Sequence, residues 1–208
     1  MKRIIFLLLL TILSKLVFSQ VKVDIIISTD IYKSYYSKFL KEPLYVSYKL
    51  YKGGGNCSRG EFHFKNDLNS VETATSKDYK ASGFDEGHLA NAEDFAYDCK
   101  KEEETFRFYN CVPQTPNLNR GIWKHWESLI RNESQNDSLL IVCGSIFSNK
   151  IIGNNVYVPD YCWKIVKSLS TKKIIYCMLF TNKIDDNVEK DVSLDQLKSL
   201  LGYQLIFQ

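Results

Sequence analysis

The sequence predicts an α+β fold with a mainly antiparallel central sheet. Segments rich in β-branched and aromatic residues, which favour strands, outnumber segments with helical periodicity. The helical segments lie between strands without the regular βαβ alternation that builds a parallel sheet. No linker rich in glycine, serine or proline and no repeat divides the chain, so we expect one domain.

The predicted strands are distributed along the whole chain. Each is a short run rich in Val, Ile, Leu, Tyr or Phe, and turn-forming or charged residues bound it. A glycine-rich loop, residues 52–60, follows the second run. We expect strands at residues 23–29, 43–51, 107–114, 138–147, 154–169 and 172–183.

Three segments predict helices, at residues 91–106, 115–134 and 192–202. The first has Asn91 as an N-cap, and acidic residues follow in the first turn, where the helix dipole favours them. The second carries an apolar stripe that recurs every four positions, formed by Leu118, Ile122, Trp126 and Ile130.

The N terminus has the layout of a secretory signal peptide. Lys2 and Arg3 precede an apolar run, and small residues near position 19 permit cleavage. An uncleaved anchor is the alternative, but Lys15 interrupts the run, which is short for a span of about 20 residues. We therefore expect a signal peptide at 1–19 and an exported domain at 20–208, outside the membrane, in the periplasm or the extracellular space.

Removal of this leader changes the charge of the chain. The formal net charge is +3, and Lys2, Arg3 and Lys15 supply the excess, which leaves 24 basic and 24 acidic residues. Net charge then gives no general attraction to polyanions. Any affinity for nucleic acid must come from a local patch.

All six cysteines follow the leader. An even count in an exported chain indicates disulfides, although six cysteines allow 15 connectivities. Cys143 lies in an apolar run, which favours a buried thiol or a bridge within the core. No C-x-x-C spacing supports a zinc site.

The stretch FDEGHLANAEDF, residues 84–95, places His88 directly after Gly87. The glycine permits a sharp bend, so we expect the histidine to be presented at a turn. Asn119 lies in the first turn of the second predicted helix, and Glu127 follows eight residues later, about 12 Å along the axis. The two side chains therefore cannot share one ion directly, and Glu127 can reach only its water.

These residue types suit phosphodiester hydrolysis. An amide oxygen together with water is the environment that Mg²⁺ prefers. A neutral histidine beside it can act as a general base.

The pattern resembles the DNA/RNA non-specific endonucleases of the ββα-metal superfamily. Their signature is D-R-G-H, followed about thirty residues later by a segment close to N-x-x-P-Q-x-x-x-L-N-x-G-x-W-x-x-x-E. Many positions at fixed spacing make the signal specific, and the resemblance extends over most of the chain after the leader. The second segment is matched by Asn110, Pro113, Gln114, Leu118, Asn119, Gly121, Trp123 and Glu127.

The resemblance implies a ββα-metal active-site motif and a role for each matched residue. His88 would be the general base toward the attacking water, and Asn119 would be the single protein ligand of Mg²⁺, for which Mn²⁺ can substitute. Glu127 would hold the hydration shell of the cation. Arg59 would contact the phosphate, on a looser match. Asp85 would orient the loop.

One position departs from the family pattern. Glu86 stands where the signature has arginine. A carboxylate near a phosphodiester repels it by up to about 1 kcal/mol when solvated. Glu86 therefore points away from the cleft, faces the cation or weakens activity.

We therefore predict an exported Mg²⁺-dependent endonuclease that hydrolyses DNA, with RNA left open, to 5′-phosphate products without strong sequence preference. Its partners are nucleic acids, whose phosphates position the enzyme without specifying a sequence. We expect His88 to titrate near neutrality. The rivals are a weakly active or inactive nucleic-acid-binding relative, and a protein of the cell envelope in which D-x-G-H is coincidental.

Overall fold

The computed structural model describes residues 21–184 and 188–207. The predicted leader, residues 1–19, therefore lies outside the described residues. In the described part, no helix combines the length and apolar character needed to cross a membrane.

A large antiparallel sheet confirms the predicted fold class. In the described ranges it has seven strands in the order β1-β2-β3-β6-β7-β8-β9, and β4 and β5 form a separate two-stranded sheet. The strands are β1 (Ile25–Ser28), β2 (Tyr32–Ser37), β3 (Glu42–Leu50), β4 (Asp85–His88), β5 (Cys111–Gln114), β6 (Leu139–Ile152), β7 (Val156–Ser168), β8 (Ile174–Thr181) and β9 (Glu189–Asp191).

The helices are short. The α-helices are α1 (Ser76–Tyr79), α2 (Cys99–Glu104), α3 (Lys124–Glu133) and α4 (Leu194–Leu200). The 3₁₀ turns are Ala92–Phe95 and Phe108–Asn110, and a π-helical segment, Leu118–Trp123, leads directly into α3.

The six predicted strands all occur, although the segment at 107–114 is a strand only over β5 and begins with a 3₁₀ turn. The helix predicted at 91–106 is wrong as one element, because Asp98 caps a second helix after the first turn. Asn91 caps the 3₁₀ turn by accepting from the Asp94 amide. The predictions omitted β2, β4 and β9.

The two faces of the large sheet carry different layers. Trp123, the last residue of the π-helical segment that leads into α3, makes an edge-to-face contact with Phe180 and packs this segment on one face. On the other face, Tyr203 stacks on Tyr45, and its hydroxyl accepts from the Trp163 indole. Successive strand residues point to opposite faces, so the two layers are separated by the sheet. The layer that contains α3 carries the site described below, and the C-terminal segment covers part of the opposite face.

Candidate active site

His88 ends a strand and does not lie in a turn. It pairs with Cys111 of β5, so the prediction of a bend at Gly87 is wrong. The glycine is needed for close packing, because a Cβ there would lie 2.3 Å from Gln114 Oε1. Pairing of β4 with β5 fixes the backbone that carries the histidine.

The His88 ring lies between two phenylalanines. Its centroid is 4.4 Å from that of Phe64 and 4.6 Å from that of Phe106, and the Trp123 indole donates to the His88 carbonyl over 3.2 Å. The residue keeps a partly exposed edge, but its Nε2 is buried and has no hydrogen-bond partner among the described residues.

This enclosure keeps the imidazole neutral. Burial of the ring, and secondarily the positive charge of Arg59, lowers the pKa of His88 from 6.5 to about 3. The prediction of titration near neutrality is therefore wrong. At neutral pH the ring is unprotonated, as a general base requires.

Asp85 orients Asn119. The Asn119 Nδ2 donates to Asp85 Oδ2 over 3.0 Å, and Arg120 makes two hydrogen bonds of 2.8 and 2.6 Å to the same carboxylate. Partial burial works against ionisation, but the hydrogen bonds from Arg120 and Asn119 outweigh it and hold the pKa of Asp85 below its ordinary value. The amide nitrogen is thus committed to Asp85, and the amide oxygen is left to accept.

Glu127 is a buried residue in the first turn of α3. Its Oε1 lies 4.0 Å from the Nζ of Lys164, which is 1% exposed and sits 3.6 Å from the Trp123 ring centroid. Burial raises the pKa of Glu127 to about 7, although the Lys164 charge acts in the opposite direction. Arg131, four residues after Glu127 on the same helix, pairs instead with Glu93 and Asp94.

Arg131 and Lys164 are site residues that the sequence interpretation missed. Arg131 donates to Asp94 and Glu93, each over 2.8 Å. The sequence indicates Arg131 only by its position four residues after Glu127, which places both side chains on the same face of the helix. Lys164 had only the weak signal of a lysine within an apolar strand.

Arg59 reaches the cleft from the glycine-rich loop. It forms ion pairs with Glu93 at 3.1 Å and with buried Glu102 at 3.2 Å. The disulfide Cys57–Cys99 ties this loop to α2. The other four cysteines, including Cys143, are free and buried.

The predicted residues converge on one cleft of about 360 Å³. Glu86 does not line it, and its charge acts instead on the buried Tyr79 and Cys111. The cleft is lined by Arg59, His88, Asn91, Ala92, Glu93, Asn119, Arg120, Lys124 and Glu127.

The donor set of the cleft fits a hard divalent cation. Asn119 Oδ1 and the Glu127 carboxylate are oxygen donors, which Mg²⁺ and similar ions prefer. In the described ranges, no group of three or more His, Cys, Asp or Glu residues is placed to hold a metal ion. A cation in this cleft would therefore take much of its coordination from water.

The chain is similar to known nucleases. The model of the DNA/RNA non-specific endonuclease family matches residues 13–205. Mitochondrial endonuclease G of Bos taurus is 33% identical over 129 residues, which are 55% of this chain and 43% of the relative. A nuclease of Nostoc sp. is 34% identical over 143 residues, which are 62% of this chain and 52% of the relative.

The fold also has a counterpart among solved structures. A chain in the crystal structure of the EndoG/EndoGI complex superimposes with a TM-score of 0.71 and 22% identity, over 85% of this chain and 83% of that one. Our chain spans about half the length of the curated relatives it matches.

Proposed function

The chain belongs to the DNA/RNA non-specific endonuclease family, and we propose that it is an exported, Mg²⁺-dependent endonuclease that cuts DNA without strong sequence preference. The observation that carries this proposal is the neutral His88, whose buried Nε2 is unpartnered among the described residues, in the same cleft as Arg59 and Asn119. RNA is a further substrate to test.

His88 takes a proton from the water that attacks phosphorus. The new P–O bond forms as the bond to the 3′ oxygen breaks, which leaves a 5′-phosphate on one fragment and a 3′-hydroxyl on the other. The oxygen of the leaving group takes its proton from water. Because His88 is neutral, its accepting nitrogen is available at neutral pH.

Arg59 neutralises negative charge on the phosphate. Its two ion pairs, with Glu93 and Glu102, hold the guanidinium at the cleft before substrate arrives, so little reorganisation is needed. Asn119 would bind the divalent cation, and Glu127 would hold the water around it. When bound, that cation would stabilise charge on the phosphate and on the leaving oxygen.

Export is supported by two features. Residues 1–19 have the composition of a signal peptide. The Cys57–Cys99 disulfide suits an oxidising compartment, in the periplasm or outside the cell.

The two rival functions lose their motivating observations. The binding-only relative rested on Glu86, which does not line the cleft. The envelope protein rested on a coincidental D-x-G-H, whereas the family model matches residues 13–205.

Nicking of supercoiled plasmid tests the proposal. We expect Mg²⁺-dependent nicking that EDTA abolishes, and loss of about 10²–10⁴-fold in rate for His88→Ala, as for removal of a general base. His125→Ala is the matched control, because His125 is exposed and outside the cleft. Near-normal rates for His88→Ala would refute the assignment. Absence of nicking with Mg²⁺ and with Mn²⁺, with the disulfide intact, would favour the binding-only relative.

A further inference from the structure

A second concave surface lies on the sheet face opposite the active-site layer. It is a groove of about 790 Å³ bordered by β2, β3, β6, β7 and the C-terminal residues Ile206 and Phe207. Ser47 and Lys49 of β3 line it, and so does the neighbouring Tyr48, although its hydroxyl donates to Asp94 on the active-site side. We call this surface the basic groove.

Its charge is strongly one-sided. A single acidic residue, Asp30, lines it. Five lysines do so: Lys33, Lys49, Lys101, Lys167 and Lys172.

None of these five lysines forms an ion pair with any residue that the structure describes. Other lysines do pair, such as Lys41 with Glu72 and Lys65 with Glu103. Like charges gathered in a concave surface without counter-charges raise the local potential and attract a polyanion. The near-neutral chain thus carries a local patch of the kind that its composition requires for any affinity toward nucleic acid.

Aromatic rings accompany the lysines. Tyr97 is 54% exposed, and Lys101 Nζ lies 5.0 Å from its ring centroid. Lys167 Nζ lies 5.5 Å from the ring centroid of Phe207. Ammonium groups beside aromatic faces are the combination with which proteins hold single-stranded nucleic acid, phosphates on the lysines and bases on the rings.

One segment joins the basic groove to the cleft. Asn91 and Glu93 line the cleft, and Tyr97 and Lys101 line the groove only a few residues later. A strand that leaves the cleft along this segment reaches the groove around the edge of the sheet.

We propose that the basic groove is a second nucleic-acid-binding site, which holds a single-stranded segment away from the cleavage cleft. Duplex binding would leave the exposed Tyr97 without an unstacked base to contact, so the aromatic rings favour a single strand over a duplex. This binding does not depend on cleavage, and it can be measured in protein that does not cut.

Binding of fluorescein-labelled oligothymidylate of 20 nucleotides, followed by anisotropy in EDTA, tests the proposal in the His88→Ala background. The test variant is Lys33→Gln/Lys49→Gln/Lys167→Gln. The control Lys77→Gln/Lys80→Gln/Lys198→Gln removes the same charge from exposed lysines outside both concave surfaces.

We expect the groove variant to bind at least about tenfold more weakly than the control. The slope of log K against log salt should fall by about 2, since each phosphate contact on a single strand contributes about 0.7. Equal affinity and equal slope in the two triple variants would overturn the proposal. Failure of the plasmid nicking test with groove-dependent binding intact would remove the proposed enzyme and leave this site standing.

Tyr97→Ala separates nucleic acid from an acidic polypeptide. Loss of a stacked base should weaken oligothymidylate binding about fivefold or more, and binding of labelled polyglutamate of matched charge should not change. If polyglutamate competes as well as unlabelled oligothymidylate and Tyr97→Ala has no effect, the nucleic-acid assignment is wrong. This single substitution also keeps the test decisive should the triple variant fail to fold.

Discussion

Arg59 lines the cleft and Arg131 lies behind it, and each contacts two carboxylates, whereas the five lysines of the basic groove contact none in the part of the chain described. These two arginines are therefore fixed in position, and part of their charge is already compensated. The groove lysines keep their charge and their side-chain freedom. Fixed charges suit a reaction whose atoms must lie within tenths of an ångström, and free charges suit the capture of a flexible polyanion.

The largest contrast should appear when one lysine is removed from each region. Lys164→Met leaves the buried Glu127 without its cation, and we expect a loss of about 3 kcal/mol in the free energy of unfolding at pH 8. Lys49→Met, exposed and unpaired, should change it by less than about 0.5 kcal/mol. Urea denaturation measures both.

The double variant Lys164→Met/Glu127→Gln is the control for this comparison. It should recover much of the loss, because no buried carboxylate is then left unpaired. Equal stability of Lys164→Met and Lys49→Met would show that the buried pair of Lys164 and Glu127 does not contribute to the free energy of unfolding.

Positional fixing in the cleft can be broken at Asp85. Asp85→Ala frees the Asn119 amide, and we expect the divalent-metal concentration for half-maximal nicking to rise about 10–100-fold, as for loss of a group that orients a ligand. Arg120→Gln removes the other partner of Asp85 but leaves the Asn119 bond, so its effect should be smaller. An equal effect of the two variants would mean that Asp85 acts through Arg120.

The pH profile of nicking tests which cleft residue titrates. Below pH 7 the carboxyl of Glu127 gains its proton, because its pKa is raised to about 7, whereas His88, with its pKa lowered to about 3, stays neutral. We expect the rate to fall about tenfold per pH unit below 7. The Glu127→Gln variant should have a lower maximal nicking rate, and this rate should no longer fall below pH 7. If the nicking rate of that variant still falls below pH 7, the titrating group is His88.

The smallest effect is expected at Glu86. Since it lies outside the cleft, Glu86→Gln should change kcat/KM for DNA by less than about fivefold, the value of one solvated charge contact. Glu93→Gln should do more, because Glu93 pairs with both Arg59 and Arg131. A gain of tenfold or more in Glu86→Gln would show that its field reaches the phosphate.

The sequence predicted the strands and the residues of the cleft better than it predicted their local geometry. Long apolar runs such as β6 and β7 are readily recognised as strands in the sequence, because burial on both faces requires apolar residues. β4 was missed because DEGH has no strand-forming side chain. Its extended form comes from pairing with β5, which lies more than twenty residues away.

Burial explains what else could not be predicted. The pKa of His88 depends on Phe64 and Phe106, which come from distant parts of the chain. Lys164 lies on a strand with no motif around it, and only the packing of α3 on β7 brings it to Glu127. The basic groove was invisible for the same reason, since its lysines are spread over 140 residues of sequence.

The Cys57–Cys99 bridge has a consequence for where the protein can work. It links two cysteines separated by 42 residues in sequence and anchors the glycine-rich loop that carries Arg59, two residues beyond Cys57. In a reducing cytoplasm this anchor would open, and the arginine would lose its fixed approach to the cleft. We therefore expect the protein to be less active while this disulfide is reduced. Newly made chains in the cytoplasm would then do the least damage to the nucleic acid of the cell that produces them.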